Sequence, residues 1–169
     1  MKYLAPVLSL MILSTPAFAD SPKEAAQAPA NKIETKKIEA KEAIIRKVSP
    51  YSVEKTMDKF ENILKKKGFD IFVRIDHQKN AEDAKLKMAP AQVIIFGNPK
   101  GGTMLMNQDI RVALDLPLRT VVYKDADEKV YIAYHDPATM LNHYDLAEHK
   151  VIAKITGGLD KLTSAAIAE

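Results

Sequence analysis

The fold is decided by residues 91–137, which read AQVIIFGNPKGGTMLMNQDIRVALDLPLRTVVYKDADEKVYIAYHDP. Three runs in this stretch have strand-like patterns, at residues 93–96, 118–123 and 130–135. The first run is apolar on both faces, which is typical of a central strand covered on both sides. Asn98 and Pro99 end it, because proline has no N–H to donate and holds the preceding residue in extended geometry. An acidic turn at residues 125–128 joins the other two runs, which therefore predict a β-hairpin.

The segment before this stretch predicts a strand, a helix and a second strand. Residues 43–48 form the first strand candidate. The helix that follows has one apolar stripe, with Ser52 placed as its N-cap and Gly68 placed just past its end. Residues 69–75 then alternate between apolar and polar side chains, apart from Phe72 on the polar face, which predicts a strand with one face in the core.

Further helices complete the predicted pattern. A short helix is expected at residues 80–88, and another begins at Asp136, with Pro137 at its first position. A C-terminal apolar stripe is expected to break at residues 157–158, because both are glycine. This element order predicts an α+β domain, with a mainly antiparallel sheet and helices packed on one side. Six apolar side chains are expected to be buried together in its core: Phe60, Ile63, Ile71, Val73, Ile95 and Val121.

The N-terminal segment predicts export. Lys2 provides a positive start, residues 4–13 form a short apolar run, and residues 17–19 (AFA) form a small-x-small cleavage site. The apolar run is too short to span a bilayer comfortably, so cleavage after Ala19 is favoured over a stable membrane anchor. We therefore expect a signal peptide at residues 1–19, a flexible tether at 20–41 and a single α+β domain at 42–169. The mature protein is expected to be periplasmic or secreted.

Composition excludes several classes of function. The chain of 169 residues is 47% hydrophobic and 28% charged, with a formal net charge of +3, as in an ordinary globular protein. It lacks a basic block with interleaved aromatic residues, so nucleic acid is not an expected partner. The chain has no cysteine and therefore no disulfide, and its stability must come from its core.

Several motifs between residues 51 and 143 resemble the domain of unknown function 302 family, in its exported branch. They are Lys67-Gly68-Phe69, Ile75-Asp76-His77, residues 95–103 (IFGNPKGGT), residues 114–119 (LDLPLR) and residues 134–137 (YHDP). The resemblance implies a TATA-box-binding-protein-like β-α-β(4)-α topology, often as a homodimer. It implies no established activity, catalytic residue or cofactor. The exported branch tends to carry Arg-His near the end of the helix after the hairpin, where this chain has Asn142 and His143.

Six residues are predicted to line one ligand-binding concavity: His77, Asn98, Lys100, Gly102, Thr103 and Arg119. They lie at the ends or starts of three predicted strands, and antiparallel neighbours bring one strand's end beside the next strand's start. The glycines at 101 and 102 let the backbone approach a ligand and turn N–H groups toward it. Two cations and an imidazole favour a small anionic or polar ligand. The structural alternative is a helix cap at His77 and surface cations at the other two positions, with Arg119 paired to Asp115.

Three functions are open from the residues alone. The first is a small-ligand-binding or interaction module, with no predicted cofactor. The second is a hydrolase-like enzyme in which His77 acts with Asp76 or Asp109, although no nucleophile motif is present. The third is a soft-metal protein that binds copper through Met104 and Met106. Methionines in such a context are more often core side chains, and we assign no catalytic or metal-ligating residue.

Overall fold

The structure, a computed structural model, describes residues 44–146 and 149–169. The predicted signal peptide and tether, at residues 1–19 and 20–41, lie outside the described residues. Within the described part of the chain, no helix combines the length and the apolar character that crossing a bilayer requires.

The described chain forms one five-stranded sheet with the order β1-β5-β4-β3-β2. Its strands are β1 (Ile44–Ser49), β2 (Asp70–Asp76), β3 (Ala91–Gly97), β4 (Leu118–Lys124) and β5 (Val130–His135). Every neighbouring pair is antiparallel, which confirms the predicted antiparallel sheet and the β4–β5 hairpin. The two edge strands are therefore β1 and β2.

In residues 44–146 and 149–169, four α-helices and two short 3-10 helices connect or cover the strands. The α-helices are α1 (Val53–Lys66), α2 (His77–Asp83), α3 (Pro99–Met106) and α4 (His149–Ile167), and the 3-10 helices are Ile110–Leu114 and Pro137–Asn142. The Ser52 hydroxyl caps α1 by accepting from the Lys55 N–H at 3.2 Å. Gly68 follows that helix with φ +74°, a left-handed geometry that favours glycine.

Two helix predictions are wrong. α2 begins at His77 rather than at residue 80, because the Asp76 carboxylate accepts from the Lys79 N–H at 3.0 Å and caps it earlier. α4 runs without a break through Gly157 and Gly158. The interior glycines cost about 1 kcal/mol each relative to alanine, which the packing of α4 against α1 and the sheet outweighs.

The helices α1 and α4 pack on the same face of the sheet and form the main core with it. Phe60, Phe96 and Ile132 are fully buried there. The Phe60 and Phe96 rings meet edge to face at 5.5 Å between centroids. Burying each such side chain contributes about 1.5–3 kcal/mol, so this layer is the main source of stability.

The predicted core is right on one side of the sheet and wrong on the other. Phe60 is buried as expected, and Ile63 and Ile71 pack against the main core. A β-bulge follows Ile71, because Ile71 pairs with Phe96 while Val73 pairs with Ile95, which leaves Phe72 as an extra residue. The bulge turns Val73 to the sheet face opposite the main core, where the alternation of β3 and β4 also places Ile95 and Val121. Ile95 and Val121 are half-buried there, and Val73 is 41% exposed.

Candidate functional site

A cavity of about 840 Å³ opens at the C-terminal end of β3. Its lining comes from α3, from the segment of α4 between Val151 and Leu162, and from Phe96 and Leu118 of the sheet. Phe69 and Phe72 from the region of β2 and Pro117 before β4 complete the lining. The site is thus built from residues that are distant in sequence.

The cavity lies between two hydrophobic clusters that do not merge. Phe96 and Leu159 belong to the main core, while Leu105 and Ile152 belong to a second cluster around the 3-10 helices and the start of α4. Phe96, Leu159 and Leu105 all line the cavity. The space between the clusters is therefore walled mainly by apolar side chains.

The predicted glycine-rich loop is the helix α3. The Asn98 side chain caps it by accepting from the Gly101 N–H at 3.2 Å, and the Asn98 carbonyl accepts from the Gly102 N–H at 2.9 Å. Pro99 stands at the first position, where its missing N–H has no cost. The N–H groups of both glycines are engaged within the helix, so the expectation that they turn toward a ligand is wrong.

Two glycines that line the cavity, one on α3 and one on α4, carry no side chain that would fill it. A Cβ atom added at Gly102 would lie 3.7 Å from Leu116 Cδ1, in ordinary contact. A Cβ atom added at Gly158 would meet nothing within 4 Å. Because both residues line the cavity, side chains at these positions would project into it or narrow it.

Four of the six predicted site residues line this one cavity: Asn98, Lys100, Gly102 and Thr103. Lys100 and Thr103 are exposed and stand near its mouth, while Asn98 holds the first turn of α3 in place. Their contact with a ligand stays a prediction.

His77 lies at the other end of the sheet, so its predicted convergence with these residues is wrong. Asp76 pairs with Gln92 near the start of β3, whereas Asp70 pairs with Gly97 at its end. The seven residues of β3 separate the two ends by roughly 20 Å, at about 3.3 Å per residue. An antiparallel ladder brings the end of β2 beside the start of β3, away from the end from which Asn98 leaves.

Arg119 lies on the opposite face of the sheet, so its predicted place in the concavity is also wrong. It pairs with Ile95, and its exposed side chain shares the face of that residue rather than the face of Phe96. The alternative pairing with Asp115 is not formed either. The Asp115 carboxylate accepts a hydrogen bond from the Tyr144 hydroxyl at 2.6 Å.

The end of the sheet near His77 is polar and internally bonded. The Asp76 carboxylate caps α2 with one oxygen and accepts from the Gln92 amide at 3.0 Å with the other. Arg74 donates to the carboxylates of Asp58 and Glu61 on α1 and to the Gln92 amide oxygen. The hydrogen bond from Lys65, together with that from Arg74, lowers the pKa of Glu61 from its ordinary 4.5, against the opposing effect of burial. These side chains therefore form hydrogen bonds and ion pairs with one another that stabilise the fold.

The enzyme and metal alternatives gain no support from the geometry. Asp109 follows α3 and is therefore at the end of the sheet remote from His77. Hydrogen bonds from Arg111 hold the pKa of Asp109 at about 2, so it is a poor general base. Within residues 44–146 and 149–169, no group of three or more His, Cys, Asp or Glu side chains could hold a metal ion. Met104 and Met106 line the apolar cavity.

The sequence reasoning missed the contribution of α4 and of the first aromatic residues after α1. Val151, Lys154, Ile155, Gly158 and Leu162 line the cavity, with Phe69 and Phe72. For the α4 residues, the signal in the sequence is a C-terminal apolar stripe interrupted by glycine. Such periodicity shows which face of a helix is apolar and does not show what covers it, so it does not distinguish a cavity wall from a packed face.

Comparisons with known proteins agree with the fold described above. The family profile described as domain of unknown function DUF302 matches residues 45–162. The crystal structure of uncharacterized conserved protein DUF302 from Bacillus stearothermophilus superposes with a TM-score of 0.60 at 17% sequence identity, covering 75% of this chain and 96% of that chain. At this identity the likeness shows the shared fold.

The chain is also similar to curated proteins with a named activity. Fluoride-specific ion channel FluC 1 of Brucella suis biovar 1 and the protein of the same name from Brucella abortus biovar 1 are each 35% identical to it over 112 residues. The matched region is 64% of this chain but 44% and 42% of those proteins. The chain thus spans less than half the length of the curated relatives it matches.

Proposed function

The chain belongs to the DUF302 family, and we propose that it is a small-ligand-binding protein whose ligand occupies the cavity between α3, α4 and the end of β3. One observation carries the proposal: the cavity separates two hydrophobic clusters and is walled mainly by apolar side chains. Its volume of about 840 Å³ lies within the roughly 300–1,000 Å³ of small-molecule sites.

The chemistry of the walls favours a ligand with a large apolar part. Phe96, Leu105 and Leu159 offer no hydrogen bond from their side chains, and an ordered buried water needs about two to four polar partners. A ligand that fills the space removes apolar surface from water and supplies the dispersion contacts that the two clusters do not give each other. The expected small anionic or polar ligand is therefore revised to one that is mainly apolar.

A pair of glycine variants in α4 tests this proposal. Gly158→Leu places a side chain in the open space of the cavity, whereas Gly157→Leu adds the same side chain to the adjacent, exposed position that does not line it. Both changes replace a helical glycine, so neither is expected to lower helix stability. The measurement is fluorescence titration with N-phenylnaphthylamine, a neutral apolar probe.

We expect saturable probe binding to the unmodified chain and to Gly157→Leu. Gly158→Leu should weaken it about tenfold or more, equivalent to about 1.4 kcal/mol. Equal affinities for the two variants, or no saturable binding to the unmodified chain, would contradict a ligand in this cavity.

The curated relatives suggest a second candidate, in which the domain serves a fluoride channel. Its support is the 35% identity to proteins named for that activity. Fluoride is strongly hydrated, and burying it among apolar side chains is costly when the Gly101 and Gly102 N–H groups are engaged. We therefore expect fluoride salts not to displace the probe. Displacement by fluoride, with chloride as the control, would favour the second candidate.

We also propose that the chain is exported and acts in the periplasm or outside the cell. The support is the sequence pattern of Lys2, the apolar run at 4–13 and the small residues flanking Phe18. Intact-mass measurement of the protein from its native cell should show the loss of residues 1–19. A full-length, membrane-associated product would contradict processing after Ala19.

A further inference from the structure

The charges around the cavity have one sign. Lys100 on α3 and Lys154 on α4 are its charged lining residues, and no aspartate or glutamate of the described chain is among them. Each of the two helices that line the cavity thus contributes one exposed cation.

Both lysines are free to bind a ligand. Each is exposed, and neither forms an ion pair with another residue of 44–146 or 149–169. A lysine in this position can lay its alkyl stem along apolar surface while its ammonium group stays in water. The mouth of the cavity thus combines apolar walls with two cationic groups at their rim.

This combination selects a ligand with two parts. A neutral apolar molecule would contact the apolar walls but form no ion pair with the lysines. A small inorganic anion would pair with the lysines but leave the apolar walls without a contact. A molecule with an apolar body and one anionic group uses both, since its body enters the cavity and its charge stays at the hydrated rim.

We propose that the ligand is an anionic amphiphile, an apolar chain or ring system bearing one carboxylate that Lys100 and Lys154 hold at the mouth of the cavity. This inference rests on the proposed function, because it names the ligand class for the same cavity. Solvent-exposed ion pairs contribute modestly, so the carboxylate should bind about 3- to 10-fold more tightly than a neutral molecule with the same apolar body.

Competition between two probes of equal chain length tests the inference. Dodecanoate and dodecanol, below the concentrations at which they aggregate, are titrated against N-phenylnaphthylamine bound to the full chain. The variants are the double substitution Lys100→Met and Lys154→Met, which keeps the apolar stems, and Lys161→Met on α4 as a control outside the cavity lining.

We expect dodecanoate to displace the probe at a lower concentration than dodecanol. The advantage should disappear in the double variant, remain in Lys161→Met and shrink at high salt, since salt screens exposed charges. Displacement by both molecules at equal concentration would overturn the inference while the proposed function stands. An advantage that survives in the double variant would also overturn it, and failure of every apolar probe to bind would refute the proposed function itself.

Discussion

The two ends of β3 differ in a way that residue types alone do not reveal. At its start, Asp76, Gln92 and Arg74 form a polar network with α1 and α2 in which each charged group has a partner. At its end, Asn98 caps α3 and the neighbouring space is bordered by apolar side chains and glycine. Both ends carry polar residues in sequence, and the second borders the cavity. A binding site arises where packing is incomplete. In a dense polar cluster at a strand end, the side chains often bond to one another and leave no group for a ligand.

The largest expected effect is on stability at the cavity end. Phe96→Ala should cost about 3–5 kcal/mol, because it removes a fully buried ring that contacts Phe60 and Phe69. Urea denaturation measures the cost. Ile95→Ala is the control, since it lies on the other face of the same strand and is half-buried, so its cost should be below about 2 kcal/mol. Equal costs would contradict the difference in burial between the two faces of β3.

The next effect is expected at the polar end. Arg74→Met should cost about 1–3 kcal/mol, because it leaves the Gln92 amide oxygen without its donor and removes one of the two donors of the Glu61 carboxylate, the other being Lys65. The affinity of the Arg74→Met variant for N-phenylnaphthylamine should equal that of the unmodified chain, since Arg74 is remote from the cavity. Lys79→Met is the matched control, whose exposed pairing with Asp83 at 3.9 Å contributes little. A loss of probe binding in Arg74→Met at full stability would show that the two ends are coupled.

A smaller effect is expected in the pH dependence of stability, and it tests the contact between Arg74 and Glu61. The pKa of Glu61 is lowered from 4.5 in the folded protein, so its contribution is present above that value and is lost as pH falls through the folded pKa. The cost of Arg74→Met should therefore be smaller at about pH 3 than near pH 7. Urea denaturation of both proteins at the two pH values measures the difference. A cost that is the same or larger in acid would show that Glu61 does not depend on Arg74.

The smallest effect is expected for His77. His77→Ala at the start of α2 should change stability by less than about 0.5 kcal/mol and leave probe affinity unchanged, because Asp76 provides the cap and the cavity is at the far end of β3. Thermal denaturation and the fluorescence titration measure both. A loss of binding with unchanged stability would restore His77 to the site.

Much of the fold could be predicted from local sequence. Ser52, Gly68 and Asp136 mark helix ends because a cap depends on atoms within three or four residues. Strand alternation was equally readable in β4, where one face carries Val122 and the other carries Val121. Such signals need no knowledge of distant contacts, and the structure agrees with them.

The candidate site was only partly predictable, for a physical reason. The Asn98–Thr103 segment was recognised because glycine and a cation cluster there. The cavity itself is a gap between two clusters, and part of its lining comes from α4, which begins only at His149. Nothing local in Gly158 or Lys154 shows that they face α3. The prediction for His77 is wrong because its position depends on the pairing register of β2 and β3, which the local sequence does not show.

The extra residue in β2 divides that strand into two segments. The odd-numbered side chains face the helices in the first segment, and the even-numbered side chains face them in the second. Before it, odd-numbered Ile71 points toward the helices, and after it, even-numbered Arg74 does so. Phe72 belongs to neither segment. Deleting it would join Ile71 directly to Val73 with both pairings preserved, whereas deleting a residue away from the bulge, such as Ile75, would invert the strand beyond that point. The sheet can therefore absorb a one-residue deletion in β2 at position 72, and the residue given up would be an aromatic side chain at the mouth of the cavity.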